Sequence, residues 1–554
     1  SAMNKMDPPH VDRDELFDLI RTLNEEQQTF VMHVLNLLKM RQNNLRNEGK
    51  LITLLSKAGS GKTRVIKVLN LLITYYFNGV RGENFDDLKV LLCASTGEAA
   101  FQIEGVTMHG AFRLQMYKND YTKMSNSTKA AIHMAYKSVE VIIVDECSMI
   151  SNSNFVKMET RLREIFGEEN NICGGKILIV VGDLYQLEPV QGLPIFSDYF
   201  HGSNPDNLIR FEVWRKHCQL YELTKIVRQK HVGFQTALNN LSEGKMTEED
   251  IKLIRDRTVK DESVIPLEAI HLFNTNRDVD SFNNSKIISL PGDLVTVNAK
   301  TSFKKLDGNP QHIINGLMND YNKCYIKNGL IGELLLKIGA RYRILFNMDV
   351  KDGIVNGTNG YLRHISYNEK KLPILIWLEC NSSRAGAMKR KPFIDYMKKN
   401  KIDLNLVPIE MVTKAMKLPN SDLSYVVNHT AYRTQFPVLP CEGITVHRAQ
   451  GKTLPGVAAH CDAQTSSRGT NYPYTLLSRC DYEQLYVVGK FYPPTSRKTS
   501  SIKEMERLRK ENPLQLSFYN FSEKNGIKIV YHNVNSFEAH KLDIKNHFWY
   551  WKAD

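Results

Sequence analysis

Short apolar runs punctuate the first half of the chain: LITLL at 51–55, KVLLCAS at 89–95, VEVIIVD at 139–145 and KILIVVGD at 176–183. They are rich in Val, Ile and Leu and lack polar alternation, which is the pattern of strands covered on both faces in a parallel sheet. Between them the period changes to that of helices, most clearly over Thr63–Phe77 and Asn154–Phe166. In the second stretch Phe155, Met158, Leu162, Ile165 and Phe166 share one face. Alternating strands and helices predict a doubly wound α/β domain. A more widely spaced set follows: AIHLFNT from 269, YRILFN from 342, PILIWLEC from 373 and QLYVVG from 484. These predict a second α/β domain carrying an insertion over about 360–432.

The chain has 554 residues, enough for several domains. With 42% hydrophobic and 24% charged residues, long disorder is not expected as its main state. The apolar stretch Val65–Phe77 is interrupted by Lys67 and Asn70 and falls short of the roughly 18 residues a membrane span needs. No partner membrane is expected. The N-terminus shows no signal-peptide pattern, and Ser1-Ala2-Met3 reads as an expression scar. The nine cysteines are scattered without a CxxC pair, so neither a disulfide framework nor a structural metal is expected. A reducing compartment, nuclear or cytoplasmic, fits that usage. The net charge of +13 suits a polyanionic partner. The basic stretch 384–401 reads first as a solvated face or mobile loop, and second as a nucleic-acid contact or nuclear-targeting signal.

Chemistry enters directly after LITLL, where SKAGSGKT (56–63) leads into a helix. A strand, a Gly-rich turn and a helix N-terminus are the setting of a phosphate-binding P-loop. Across Ala58, Gly59, Ser60 and Gly61, backbone N–H groups can converge on phosphate oxygens, with the glycines free to take positive φ. Lys62 would neutralise the β- and γ-phosphates, and the Thr63 hydroxyl would ligate Mg²⁺. The usual first glycine is Ser56, which matters only if that position needs a glycine conformation. VIIVDECSM sets Asp145 and Glu146 at a strand end, where Asp145 would hold Mg²⁺ and Glu146 would polarise the attacking water. GDLYQL sets Asp183 and Gln186 at the next strand end, with Gln186 in reach of a γ-phosphate. The three strand ends are expected to converge.

Phosphoryl transfer needs positive charge at the transition state, and Arg228 (LTKIVRQ) and Arg479 (YTLLSR) are the candidates to supply it. A GTPase would need a guanine-reading NKxD after a strand. The two matches, at 4–7 and 400–403, lack that setting. A small-molecule kinase would not need so large a second domain, and a scaffold with a degenerate site would not keep all these groups.

With these motifs, in this order from Leu23 to about Gly489, the chain resembles the Pif (petite integration frequency) helicases, the RecD-like branch of superfamily 1 DNA helicases. LNEEQ (23–27) is similar to the adenine-reading Q motif, which makes Gln27 the base contact. STGEAAFQIEGVTMHGAF (95–112) resembles the strand-binding segment, with Thr96, Gly97, Thr107 and His109 as DNA contacts. HLFNTNRDVDSFN and KIGARYRILFNMDVKDGIVNGTNGYL (337–362) resemble further family segments. FPVLPCEGITVHRAQGKTL (436–454) resembles motif V, with Thr445 and His447 on DNA and Gly451 at the nucleotide. YTLLSR is similar to motif VI, with Arg479 as the arginine finger. Departures are Ser56, Ser60 for a frequent Thr, Glu188 for Pro and Ala449 for Ser.

The resemblance implies two RecA-like parallel-sheet domains (1–218 and 219–490), a wedge element near 112–137, an SH3-like insertion at 360–432 and an extension over 491–554. It implies ATP and Mg²⁺, 5′-to-3′ movement on single-stranded DNA, and unwinding of tailed duplexes. The alternatives are an NTPase translocase stimulated by nucleic acid, or the helicase part of a transposase or viral replication protein. Phe101, Phe112, Tyr117 and Tyr121 lie near the strand motifs; base stacking is open to them, with core packing the expected fate of Phe101 and Phe112. Near the end, IKIVYHNVNSF (527–537) is similar to the first strand of endonuclease-exonuclease-phosphatase domains, with Asn533 or Asn535 near metal. Two readings stand: a chance match, or the start of a fused or partner nuclease, as in a Helitron-like mobile element. A replication initiator is the other expected associate.

Overall fold

The computed structural model describes residues 7–43, 48–80, 82–114, 121–190, 192–197, 212–304, 329–349, 352–380, 385–416, 430–462, 469–494 and 499–516. The nuclease-like stretch 527–537 and Tyr117 therefore lie outside the described residues. The chain forms two compact units. One comprises Ser1–Thr258, Gln450–Thr453 and Cys461–Asp554, and the other Val259–Ala449 and Leu454–His460. The first unit thus takes in residues 219–258 and the stretch from 461 to 490, which the sequence reading placed in the second α/β domain.

In the first unit, α1 (Arg13–Arg21) and α2 (Glu25–Asn43) precede β1 (Lys50–Ser56), and α3 (Lys62–Asn78) follows it. Next come β2 (Val90–Ala94), α4 (Gly97–Gln102), β3 (Val106–Thr107), α5 (Met108–Phe112), α6 (Asn126–Tyr136) and β4 (Val141–Asp145). α7 (Asn152–Phe166), β5 (Ile177–Gly182) and β6 (Cys218–Leu223) complete the set around one sheet. The strand order is β3-β2-β4-β5-β1-β6, with every pair parallel. β2, β4 and β5 are buried along their whole length, as their unbroken apolar runs predict. The core joins Ile52, Leu54, Ile179 and Val181 of the sheet to Val65, Leu69 and Ile73 of α3 and to Phe30 and Val34 of α2. In α7 the expected face is present: Phe155, Met158, Leu162 and Ile165 are buried, while Phe166 sits at the rim. Ser151 caps that helix by accepting from the Asn154 N–H, and Gly167 ends it at φ 71°. Because β4, β5 and β1 are sheet neighbours, the loops leaving their C-terminal ends lie side by side. The 112–137 region contributes α6, whose Ile132 and Tyr136 are buried.

In the second unit β7 (Ile270–Phe273) is followed by β8 (Val295–Asn298), β9 (Lys300–Lys304), β10 (Glu333–Leu336), β11 (Arg341–Ile344), β12 (Asn359–Tyr367) and β13 (Pro373–Cys380). β14 (Val407–Glu410), β15 (Val412–Met416), β16 (Thr430–Gln435), β17 (Val438–Pro440), β18 (Gly443–Thr445) and β19 (Val457–Cys461) come next, and all but the last residue of β19 lie in this unit. β7 pairs in parallel with both β18 and β19. The rest is antiparallel: a five-stranded sheet β14-β13-β12-β11-β17, a three-stranded sheet β15-β16-β9 and the pair β10-β8.

YRILFN, read from the sequence as a strand of the α/β domain ahead of the insertion, is β11 of that antiparallel sheet, and PILIWLEC, inside the expected insertion, is β13. Ile376 and Leu378 join the core with Tyr342, Leu362 and Val438, while Leu375 and Trp377 face a helical excursion that supplies Met397, Ile402 and Leu406. The basic stretch forms that excursion, with helices Ala387–Arg390 and Ile394–Lys399. Lys389 pairs with Glu410, and Lys391, Lys398, Lys399 and Lys401 are exposed, which is a solvated face.

Trp377 is fully buried, stacks on Tyr396 with the rings 9° from parallel, and donates its indole N–H to Ser366 Oγ at 2.9 Å. Trp377→Ala is expected to cost about 3–5 kcal/mol of local stability. Amide hydrogen exchange would then accelerate in β12–β14 and stay unchanged in β1, β4 and β5; unaltered exchange in β12–β14 would refute this packing role.

Candidate nucleotide site and nucleic-acid interface

The loop after β1 owes its shape to two glycines. Gly59 and Gly61 both have φ 86°, a left-handed conformation that disfavours any β-carbon. A β-carbon would also come 2.6 Å from Arg228 Cβ at the first position and 2.6 Å from Gln27 Nε2 at the second. Ser56 ends β1 without positive φ, so its replacement of glycine costs no backbone strain. Its hydroxyl bonds that of Ser60 and accepts from Lys62 Nζ at 3.0 Å. Lys62 also donates to the carbonyls of Ser56 at 3.2 Å and Lys57 at 3.4 Å, so its charge lies over the loop. Gln27 is buried, exchanges hydrogen bonds with Asn24 and donates to the Ser60 carbonyl at 2.8 Å. Thr63, in the first turn of α3, is exposed.

The strand ends converge as expected. Asp145 ends β4 and accepts the Glu146 N–H at 2.8 Å. Glu146 stands at φ 57°, a left-handed conformation uncommon for a residue other than glycine. Burial, and then the Asp145 charge beside it, push Glu146 up to about 7, and burial raises Asp145 as well. Gly451, at φ 78°, leaves room for Glu146: a β-carbon there would stand 2.6 Å from Oε1. Asp183, just past β5, accepts from Gln186 Nε2 at 3.1 Å and from the Tyr474 hydroxyl at 2.9 Å.

Both candidate arginines reach this place. Arg479 is 1% exposed and donates to Ser478 Oγ at 2.7 Å, while Arg228 donates to the Ser478 carbonyl at 3.1 Å. Among the described residues neither has a carboxylate within ion-pair distance, and Nε of Arg479 is buried without a partner. Burial, then the charge of Arg479, lower Arg228 to about 10, and burial lowers Arg479. A buried cation needs anionic compensation, and here Glu146 and Asp183 act on Arg479 and Glu146 on Arg228, while Oε1 of Gln186 and Nε of Arg479 are buried without a partner.

Sequence reasoning passed over Tyr474. Its hydroxyl accepts the Ala58 N–H at 2.8 Å and donates to Asp183, tying the phosphate loop to the β5 end. The only signal was a phenol in an otherwise apolar turn before Arg479. Gln450 was quoted in its motif without a role. It donates to Ser148 Oγ at 2.7 Å and to the Leu187 carbonyl at 3.3 Å. Glu188, the departure from Pro, accepts from Ser500 at 2.6 Å and Ser501 at 3.2 Å, so the helix Ser500–Glu511 holds its loop.

The residues expected on nucleic acid are divided. In the first unit Thr96 caps α4 by accepting the Ala99 N–H at 3.2 Å, and Gly97 opens that helix. Thr107 caps α5 through the Gly110 N–H at 3.2 Å, and His109 follows in the same turn. Burial, then Lys157, lower His109, leaving the ring uncharged at neutral pH. In the second unit Thr445 ends β18, and His447 sits in the short helix Val446–Ala449. Phe112 is fully buried and Phe101 half-buried. Tyr121 bonds Glu164 and lies under the Arg161 guanidinium, so that ring is engaged within the protein.

Among the described residues no helix is long and apolar enough to cross a membrane. Residues 22–261 match the family model described as PIF1-like helicase. The chain is 24% identical over 401 residues to the ATP-dependent DNA helicase PIF1 of Emericella nidulans, covering 67% of this chain and 50% of that protein. The Pif1 helicase of Campylobacter jejuni is 25% identical over 73% of this chain and 79% of its own length. The Xenopus laevis PIF1 is 28% identical over 51% of this chain and 42% of its own. The chain thus spans half or less of two of these relatives. Its fold is similar to the crystal structure of Pif1 helicase from Candida albicans, with a TM-score of 0.60 at 21% identity over 88% of this chain and 98% of that one. It is equally similar to Bacteroides Pif1 bound to single-stranded DNA, with a TM-score of 0.59 at 23% identity over 88% and 96%. The parallel sheets are RecA-like, and the antiparallel strands run from β8 to β17, beyond both ends of the insertion expected over 360–432. Over residues 22–261 the chain is similar to the PIF1-like helicases, and its fold is similar to theirs.

Proposed function

We propose that this protein is an ATP-dependent DNA helicase that moves 5′-to-3′ on single-stranded DNA and unwinds tailed duplexes. The observation that carries the reading is the pair Arg228, half-buried, and Arg479, fully buried, both held by Ser478 in the unit that carries Lys62, Asp145 and Glu146 and neither within ion-pair distance of a described carboxylate. Such a site favours a substrate bringing its own negative charge, and most of all a transition state in which that charge spreads over a departing phosphoryl group.

In this reading Gln27 contacts the base, and the N–H groups of residues 58–61 with Lys62 hold the phosphates. Thr63 and Asp145 would hold Mg²⁺, which when bound neutralises phosphate charge. Glu146, raised to about 7 by burial and Asp145, orients the attacking water and accepts its proton. Gln186 positions the terminal phosphate, and the two guanidiniums stabilise the charge that develops on it. When that phosphate leaves, Arg228 and Arg479 lose the charge that offsets their repulsion, and the stretches carrying them loosen.

Thr96, Gly97, Thr107, His109, Thr445 and His447 are proposed to hold the strand. Contacts of this kind to the backbone are sequence-tolerant and salt-sensitive. The eight described cysteines form no disulfide, which supports a nuclear or cytoplasmic setting. A nuclease or replication initiator is the proposed associate.

Lys62→Ala is expected to abolish ATP hydrolysis while leaving single-stranded DNA binding measurable by fluorescence anisotropy; a variant hydrolysing at the wild-type rate would remove the P-loop from the mechanism. Arg479→Ala is expected to lower kcat by about a thousandfold while changing KM by only a few-fold. Equal losses in both would make Arg479 a ground-state contact. With the wild-type chain, ATP should drive unwinding of duplexes bearing a 5′ tail and not a 3′ tail. Absence of unwinding on either substrate would overturn the helicase reading.

A further inference from the structure

β7 and β19 pair in parallel, with Ala458 opposite His271 and Ala459 opposite Leu272. His460, next along β19, therefore falls beside Phe273, within reach of His271. Nδ1 of His271 and Nε2 of His460 are 3.0 Å apart. A carboxylate oxygen of Glu262, from the turn Glu262–Val264, joins them, so that the three donor atoms all lie within 4.8 Å of one another. Two aromatic rings wall the group: Phe273 stacks on His460 with centroids 4.0 Å apart, and Phe282 lies 4.3 Å from the ring of His271. His271 is buried and Glu262 exposed, which leaves an entry path on the carboxylate side.

We infer that Glu262, His271 and His460 form a binding site for one divalent transition-metal ion of the zinc class, separate from the nucleotide site. Two imidazoles and a carboxylate are the donor set that such ions prefer, whereas Mg²⁺ favours oxygen ligands. Nitrogens bound to one ion at about 2.0–2.1 Å stand roughly 3.0–3.4 Å from each other, close to the separation already present. The two facing nitrogens now share one hydrogen. When the ion binds, that hydrogen moves to the other nitrogen of its own ring, and both facing lone pairs become ligands with no net proton released. Water completes the coordination. The ion ties the turn at 262–264 to two strands whose histidines are 189 positions apart in the chain, so binding stabilises this unit.

The test uses the full chain after chelator dialysis, in the Lys62→Ala background to weaken binding at the phosphate loop. Co²⁺ titration should develop visible d–d bands saturating at one ion per chain without a thiolate charge-transfer band, and Zn²⁺ should displace it and raise Tm. Glu262→Gln, an exposed change that leaves the fold intact, and His460→Ala should each weaken binding by more than the roughly tenfold that even a supporting residue costs. A thiolate band would put the ion on a cysteine. That result, no binding, or wild-type affinity in Glu262→Gln would each overturn the proposal.

Discussion

A buried guanidinium held beside a half-buried one is the constraint on which the arrangement around the phosphate loop rests. Arg479 is 1% exposed and Arg228 half-buried, and the charge of Arg479 lowers Arg228. Like charges are kept together inside a protein only when surrounding groups fix their positions and something negative completes the set. Here Ser478 fixes both, through its hydroxyl to Arg479 and its carbonyl to Arg228. The Tyr474 hydroxyl links the same turn to Asp183 and to the loop N–H of Ala58. Gly59 accepts the N–H groups of Val227 and Arg228 at 2.8 and 3.1 Å, so the phosphate loop and the arginine segment are hydrogen-bonded directly. Glu146 and Asp183 favour the charge on Arg479 without forming an ion pair with it.

Four of the six strands of the first sheet were legible because they obey one rule, whereas β3 and β6, which are only partly buried, gave no such signal. β2, β4 and β5 are covered on both faces, their sequences contain almost nothing polar, and the chemistry-bearing residues begin where the apolar run stops, at Ser56, Asp145 and Asp183. YRILFN was read by the same rule as a strand of the α/β domain, but β11 pairs antiparallel with β12 and β17, partners that its four residues do not reveal. Long-range pairs were illegible for a different reason. His271 with His460, or Gln450 with Ser148, meet only through strand order and loop path, and no spacing rule brings such distant residues together. Tyr474 escaped because a phenol in a buried turn has no sequence signal separating a packed ring from a hydrogen-bonding hub.

Glu188 and Ser56 show how departures from a family pattern are absorbed. A glutamate where proline is usual would leave its loop freer, but two serines at the start of the helix Ser500–Glu511 donate to its carboxylate. That helix is itself fixed from the other side, where Glu504 accepts the indole N–H of Trp214 at 2.8 Å and Arg509 pairs with Glu222. Rigidity supplied in one case by a ring is supplied in the other by packing and charge. At Ser56 the backbone never enters the region that excludes side chains, so the hydroxyl is free to serve as a rest for Lys62.

The threonines proposed for the nucleic-acid strand carry a further consequence of hydrogen-bond chemistry. Thr96 and Thr107 each accept a backbone N–H as helix caps, which fixes the hydroxyl oxygen while leaving its hydrogen to be given away. A capping hydroxyl is thus a donor held at a fixed place, and a phosphate oxygen is an acceptor in every nucleotide. The same caps that stabilise α4 and α5 by roughly 1 kcal/mol each would therefore present evenly strong contacts regardless of base. His109, lowered by burial and then by Lys157, would on the same proposal add a contact without the strong hold of a cation.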